Sequence, residues 1–233
     1  MLDLNASITL ANERPKRTYR GGVRTRQKVE TGERILNAAL SRFARTGFDG
    51  AAVRDIALDA GVTHAAIRLH FGTKEDLWKA AVSFLFERFG KEMTGLADVS
   101  DPLAEVLAHY VRYCAAHPEH VRIMVHESIG DSERLNWMVD NHIAPAHQGL
   151  RPLLEAAMES GRLPEVPVVS LIYMMSCAAQ APFMLGAEAK RLYGIDVTHA
   201  AFVEQHVRAV LKAFGISDQS RKAPDQEPSR LVD

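Results

Sequence analysis

The chain has 233 residues, 47% of them hydrophobic and 24% charged, with a formal net charge of -1. That apolar content is enough to build the core of one large or two smaller domains, and a folded, soluble protein is expected. The balance conceals an asymmetry: Arg14 to Lys79 carries 14 Lys/Arg against 7 Asp/Glu, whereas Ala80 to Asp233 carries 14 against 20. A basic front third implies contact with a polyanion, and the acidic remainder implies a separate task. Cys114 and Cys177 are the two cysteines. With Asp3, Asn5 and Asn12 interrupting the apolar residues at the start, no signal peptide is read, and a reducing cytoplasmic setting is expected with both cysteines as small core residues.

Residues 1–30 read as an unstructured basic arm. Arg14, Lys16, Arg17, Arg20, Arg24, Arg26 and Lys28 occur there without an acidic residue between Arg14 and Lys28, interrupted by Pro15, Gly21 and Gly22. Such a segment is either a solvated tail or an arm that neutralises phosphates and enters a minor groove. From Thr31 the pattern turns helical. Ile35, Ala39 and Phe43 recur at i, i+4 and i+8, Gly47 ends the run, and Phe48 is expected to pack back on it.

Two short helices follow, near 53–60 and 63–70. Val53, Ile56, Ala57 and Ala60 share a buried face, leaving Arg54, Asp55 and Asp59 outside. Gly61 suits the left-handed position after a helix, Val62 drops inward, and Thr63 caps the second helix. If Ile67 and Phe71 point inward, the opposite face of that helix presents His64, Ala65, Arg68 and Leu69, with His70 at its flank. This is a helix-turn-helix arrangement, and with the preceding helix it makes a three-helix unit around Ile35, Phe43, Phe48, Ile56, Val62, Ile67 and Phe71. Thr73 and Asp76 have the spacing of a reciprocal cap, opening a long helix near 74–95 whose inner stripe is Leu77, Trp78, Ala81, Leu85 and Phe89.

These segments together resemble a known family. Thr31-Gly32-Glu33-Arg34-Ile35, Phe43-Ala44-Arg45-Thr46-Gly47-Phe48, Val53-Arg54-Asp55-Ile56-Ala57, Ala60-Gly61-Val62-Thr63 and His70-Phe71-Gly72-Thr73-Lys74 are similar, in order and spacing, to the DNA-binding domain of the tetracycline-repressor (TetR) family. The resemblance implies that Arg54, His70 and Lys74 hold phosphates, that His64, Ala65 and Arg68 read bases beside Thr63 and Leu69, and that Arg24 and Arg26 add salt-dependent affinity from the arm. Three positions depart from the family pattern. Arg68 stands where tyrosine is common, Ala52 where a hydroxyl residue caps the helix, and Ala65 where glycine is usual. They bear on base preference rather than on fold.

Beyond Asp101 the pattern stays helical, with helices expected over 101–115, 118–129, 132–160, 167–188 and 198–214. Pro145 and Pro182 fall inside two of them and should bend them. Residues 167–187 hold no charge, yet Ser170, Ser176, Gln180, Pro182 and Gly186 argue for a buried helix rather than a membrane span. The resemblance implies that this helix and the last one, through Phe202, Val203, His206, Val210 and Phe214, pair with a second copy in a four-helix bundle. Tyr113, His126, Trp137, Tyr173, Cys177 and Gln180 are candidate lining residues for a small organic effector, each with core packing as the plainer reading. The histidines do not converge in a metal-binding spacing, and no phosphate-cradling loop, nucleophile elbow or carboxylate pair is present, so no metal, cofactor or enzymatic activity is expected.

The expectation is therefore an all-α protein. It has a basic arm over 1–30, an N-terminal three-helix bundle with helix-turn-helix over 31–76, a C-terminal helical ligand-binding and dimerisation domain over 77–216, and a disordered tail over 217–233. Its expected role is a homodimeric DNA-binding regulator, released from a pseudo-palindromic double-stranded operator by a small organic effector. The alternative is a DNA-binding protein without a small-molecule effector.

Overall fold

A computed structural model describes residues 19–96 and 99–216, with side chains from Arg26 onward. The expected tail and the first 18 residues of the expected arm, including Arg14, Lys16 and Arg17, lie outside the described residues. Among these residues there are helices and turns and no strand.

The first helix, α1 (Tyr19–Gly50), starts a dozen residues earlier than its apolar periodicity. Residues 19–30 are thus helical rather than an extended arm. A helix already nucleated by the packed segment behind it extends without a new nucleation penalty, and Arg26 donates to Glu30 at 2.9 Å across one turn. Gly21 and Gly22 fall in the opening turn, where their weak helix propensity matters little. At the other end Gly47 takes φ 68° and ψ 178°, a true break in helical geometry at the residue expected to stop the helix.

Helices α2 (Val53–Ala60), α3 (His64–Phe71) and α4 (Lys74–Met93) follow. Gly61 adopts φ 63° and ψ 38°, letting the Val62 amide donate back to Ala57. Thr63 accepts from the Ala66 amide at 3.2 Å. Thr73 and Asp76 form the reciprocal cap, which holds the Asp76 carboxyl below its ordinary range through hydrogen bonds from the Thr73 hydroxyl and amide. Ala52, as expected, supplies no side-chain cap to α2.

Ile35, Phe43, Ile56 and Ile67 are buried together, with Phe48, Val62 and Phe71 packed at the edge of the same core. That core continues through Leu77, Trp78, Ala81, Val82 and Leu85 of α4 and takes in Ile123 and Met138 from later helices. A second core gathers α5 (Pro102–Ala116), α8 (Ala144–Glu159), α9 (Val168–Met184) and α11 (Ala200–Ala213) around Leu107, Val111, Leu154, Leu171, Phe183 and Val207, with Phe89 of α4 against it. One face of α4 therefore serves two cores.

The expected helix over 132–160 is divided into α7 (Glu133–Met138), a π-helical turn (Val139–Ile143) and α8. Pro145, in the first turn of α8, explains the division. In an unbroken α-helix its ring would meet the Asn141 carbonyl, and the widened turn separates them. The expected helix over 167–188 also breaks, into α9 and α10 (Gly186–Tyr193), which meet at 65°. Among the described residues no single helix is long and apolar enough to cross a membrane. Pro182 lies inside α9 and cannot donate to the Ala178 carbonyl. His206 of α11 supplies that missing donor, its Nε2 lying 2.9 Å from the Ala178 oxygen.

His206→Leu leaves the half-buried Ala178 carbonyl without a donor and should cost about 1–3 kcal/mol. In a chain of this length that reads as a fall of roughly 2–10 °C in melting temperature. His206→Gln keeps an N–H and should recover part of the loss, and equal melting temperatures for Leu and wild type would contradict this link between α9 and α11.

Candidate nucleic-acid interface

The most distinctive surface in the front third is the outer face of α3. Ile67, 1% exposed, fixes the back of this two-turn helix in the core. Its register then forces His64, Ala65, Arg68 and Leu69 outward, and all four are exposed. Leu69 is 88% exposed, which no folding requirement explains. Arg54 on α2 is exposed, His70 is half-buried with its ring 5.9 Å from that of Phe71, and the Thr63 hydroxyl is spent on capping. An isoleucine-anchored helix with donors and apolar tips on its free face has the shape and chemistry to lie in a major groove.

Behind this face the unit is braced by charge. Arg42 of α1 donates to Asp59 through Nε and Nη2 and reaches Asp55 at 3.4 Å, tying α1 to α2. These bonds hold Asp59 below the usual carboxylate range, the Arg42 hydrogen bond being the largest cause. A shallow groove of about 560 Å³ lies here, lined by Arg34, Asn37, Ser41, Arg42, Arg45 and Asp59. Its central cation is already paired, so it offers an anion little.

Two candidates are placed differently from the simple expectation. Arg26 and Arg24 ride on the helical start of α1 rather than on an extended arm. Lys74 is partly turned back toward the protein, its Nζ 4.5 Å from the Phe48 ring centroid and 3.4 Å from the Asp49 carbonyl oxygen.

The six candidate effector residues do not surround one cavity. Tyr113 is buried with its hydroxyl 2.8 Å from His120 Nδ1, while Gln180 accepts from Tyr110 at 3.3 Å. These two lie in the core of the C-terminal helices. Tyr173 and Cys177 instead stand on an open face of α9 with Val169 and Met174. Cys114 is buried as expected of a core thiol, but Cys177 is exposed. His126 is exposed on α6 (Pro118–Ser128) near Gly47, and Trp137 sits edge-on to Trp78 at 5.7 Å, so both belong to the junction with the DNA-binding unit. Periodicity placed these residues on helices but could not say which face met which neighbour. Among the described residues no cluster of His, Cys, Asp and Glu is arranged to hold a metal ion.

Sequence reasoning overlooked the polar cluster where α4 meets α5 and α6. Arg88 donates to Glu119 at 2.6 Å, His117 contacts Glu92 at 3.2 Å, and His120 is stacked edge-on against Phe86 and Phe89. The His117-Pro118 pair signalled only a helix start. Burial pushes His120 down to about 3, helped by the nearby Arg88 and His117. An unfolded histidine takes up its proton near pH 6.5, so between about pH 3 and 6.5 the unfolded chain holds the extra proton. Stability from this site is complete above pH 6.5 and is lost as pH falls through that window. The melting temperature should drop between pH 6.5 and 4, more steeply in wild type than in His120→Gln, and parallel slopes would contradict the assignment.

Comparison with known proteins agrees with this geometry. Residues 35–81 match the model of bacterial regulatory proteins of the tetR family, and residues 100–213 match a tetracyclin repressor-like C-terminal domain. The HTH-type transcriptional repressor NicS of Pseudomonas putida is 29% identical over 68% of this chain and 77% of its own. The HTH-type transcriptional regulatory protein RaaS of Mycobacterium tuberculosis is 35% identical over 51% of this chain and 56% of its own. In fold, the chain is similar to the transcriptional regulator FadR of Bacillus subtilis, solved in complex with stearoyl-CoA. The TM-score is 0.59 at 19% identity, covering 79% of this chain and 99% of that one. With its helix-turn-helix and its C-terminal helices matched in order, the chain belongs to the TetR family of transcriptional regulators.

Proposed function

We propose that two copies of this chain bind a pseudo-palindromic operator as a repressor in the cytoplasm, each laying α3 in a major groove, and leave it when a small organic effector binds the C-terminal helices. The observation that carries the DNA contact is the outward face of α3, where His64, Ala65, Arg68 and Leu69 are exposed on a helix anchored by Ile67. Arg68 is the sequence-reading donor, suited to the O6 and N7 edge of guanine, and the Ala65 methyl and Leu69 suit thymine methyls. Arg54, His70 and Lys74 grip phosphates, and Arg24 and Arg26 add salt-dependent affinity.

Dimerisation is supported by the open strip Val169, Tyr173, Met174 and Cys177 on α9, an uncharged helix whose other side is packed on α11. Capping that strip with its two-fold copy buries apolar surface and sets the spacing of the two reading helices. The effector reading is supported by the acidic domain's mixture of rings, sulfur and polar groups, and by the acyl-CoA held by a relative of similar fold. Effector release follows if the ligand prefers a state with mismatched reading helices. A second reading, DNA binding without a small molecule, is favoured by the dispersal of the six candidate effector residues over three separate places.

Duplexes selected by the purified protein from a random pool provide the probe. Arg68→Ala should lose about 1–3 kcal/mol of binding to the selected duplex and relax discrimination at one base pair. Arg54→Ala should weaken all duplexes alike and lower the salt slope by about one. Unchanged affinity in an Arg68→Ala plus Lys74→Ala variant that still folds would sink the reading of α3.

A further inference from the structure

The seam between the DNA-binding unit and the C-terminal helices holds an unusual stack. Phe48, just past the break at Gly47 near the end of α1, lies over Phe43 at 6.0 Å and edge-on to Trp78 at 6.4 Å. Two cations approach its ring. Lys74, at the start of α4, places Nζ 4.5 Å from the centroid, and the Arg134 guanidinium of α7 lies 4.0 Å from it and 6.0 Å from the Trp78 ring. Arg134 is held from behind, donating through Nε to Glu127 at 3.1 Å. Glu127 closes α6 and is only 5% exposed. Ser132, which caps α7 by accepting from the Leu135 amide, also reaches Glu127 at 3.4 Å.

We propose that Arg134 is a latch through which the C-terminal helices set DNA affinity, by competing with Lys74 for the Phe48 ring. The ring face attracts cations, and two cations near one ring repel each other. While Arg134 occupies the ring, Lys74 is held there weakly and is available to a phosphate. Once α6 or α7 shifts and Arg134 withdraws, the ring and the Asp49 carbonyl take Lys74 fully, and the protein loses a phosphate contact. Linkage makes the effect reciprocal: a phosphate that draws Lys74 away leaves Phe48 to Arg134 and tightens the seam. Arg134 touches no DNA in this scheme and acts as a positioning residue.

The chain contains two tryptophans, Trp78 and Trp137, and both lie in this seam, 5.7 Å apart and edge-on, so intrinsic fluorescence reports on the latch. The proposal rests on the DNA-binding reading and is tested on the full-length dimer with a duplex selected by the wild-type protein. Arg134→Met removes the charge but leaves Glu127 buried without its partner, so the Arg134→Met plus Glu127→Gln double variant is measured beside it. Both should bind the duplex about tenfold more weakly, the scale of one desolvated cation–π contact. Both should also show shifted tryptophan emission and greater quenching by acrylamide, and Arg134→Lys should restore most of the affinity. In Lys74→Ala the Arg134→Met change should have little further effect on binding. A double variant that binds like wild type overturns the latch alone, as does an undiminished Arg134→Met effect in Lys74→Ala. A wild-type protein that selects no duplex overturns the DNA-binding reading and the latch with it.

Discussion

The burial of one face of α4 against two cores is the constraint on which the rest of this protein depends. Leu77, Trp78, Ala81, Val82 and Leu85 are all fully buried beneath the helix-turn-helix, and Phe89 of the same helix packs on the C-terminal core. Truncating a buried tryptophan such as Trp78 costs about 3–5 kcal/mol, a large share of the roughly 5–15 kcal/mol that holds a typical domain folded. Helix α4 therefore cannot slide freely against either neighbour. A change in the C-terminal helices must move it as a rigid lever or move what packs on its sides, and interior packing this dense favours discrete positions.

That constraint gives the polar contacts their meaning. Arg88–Glu119 and His117–Glu92 bind the far half of α4 to the start of α6, and the Glu127–Arg134 pair returns from the end of α6 and from α7 to the near half. Ile123 of α6 and Met138 of α7 sit inside the core of the DNA-binding unit. Helix α3 packs chiefly on α2 and α4. Its position is inherited from Ile67 and the capped start of α4, so a displacement of α4 would carry α3 with it.

Much of this was legible in the sequence because it depends on local rules. Gly47 and Gly61 stop helices, Thr63, Thr73 and Asp76 cap them, and the three- and four-residue spacing of Ile35, Ala39 and Phe43 marks a buried face. The outward set on α3 followed from the inward position of Ile67. What was not legible depends on which faces meet. Tyr173 and Cys177 look like lining residues by composition, yet α9 turns them outward. The break of the 132–160 helix comes from Pro145 acting one turn back, and His206 matters because Pro182, twenty-four positions earlier, leaves a carbonyl free. The early start of α1 was hidden because Arg20 to Glu30 carries no apolar stripe, and helix extension needs none once the next segment is packed.

The central claim is that two α3 helices of one dimer read one face of a duplex. Hydroxyl-radical footprinting of the full-length protein on a selected duplex tests it most directly. The account predicts two protected patches related by a two-fold axis and separated by about one helical turn or more, roughly 34–36 Å per turn. A single unpaired patch, or uniform protection that does not depend on sequence, would contradict it.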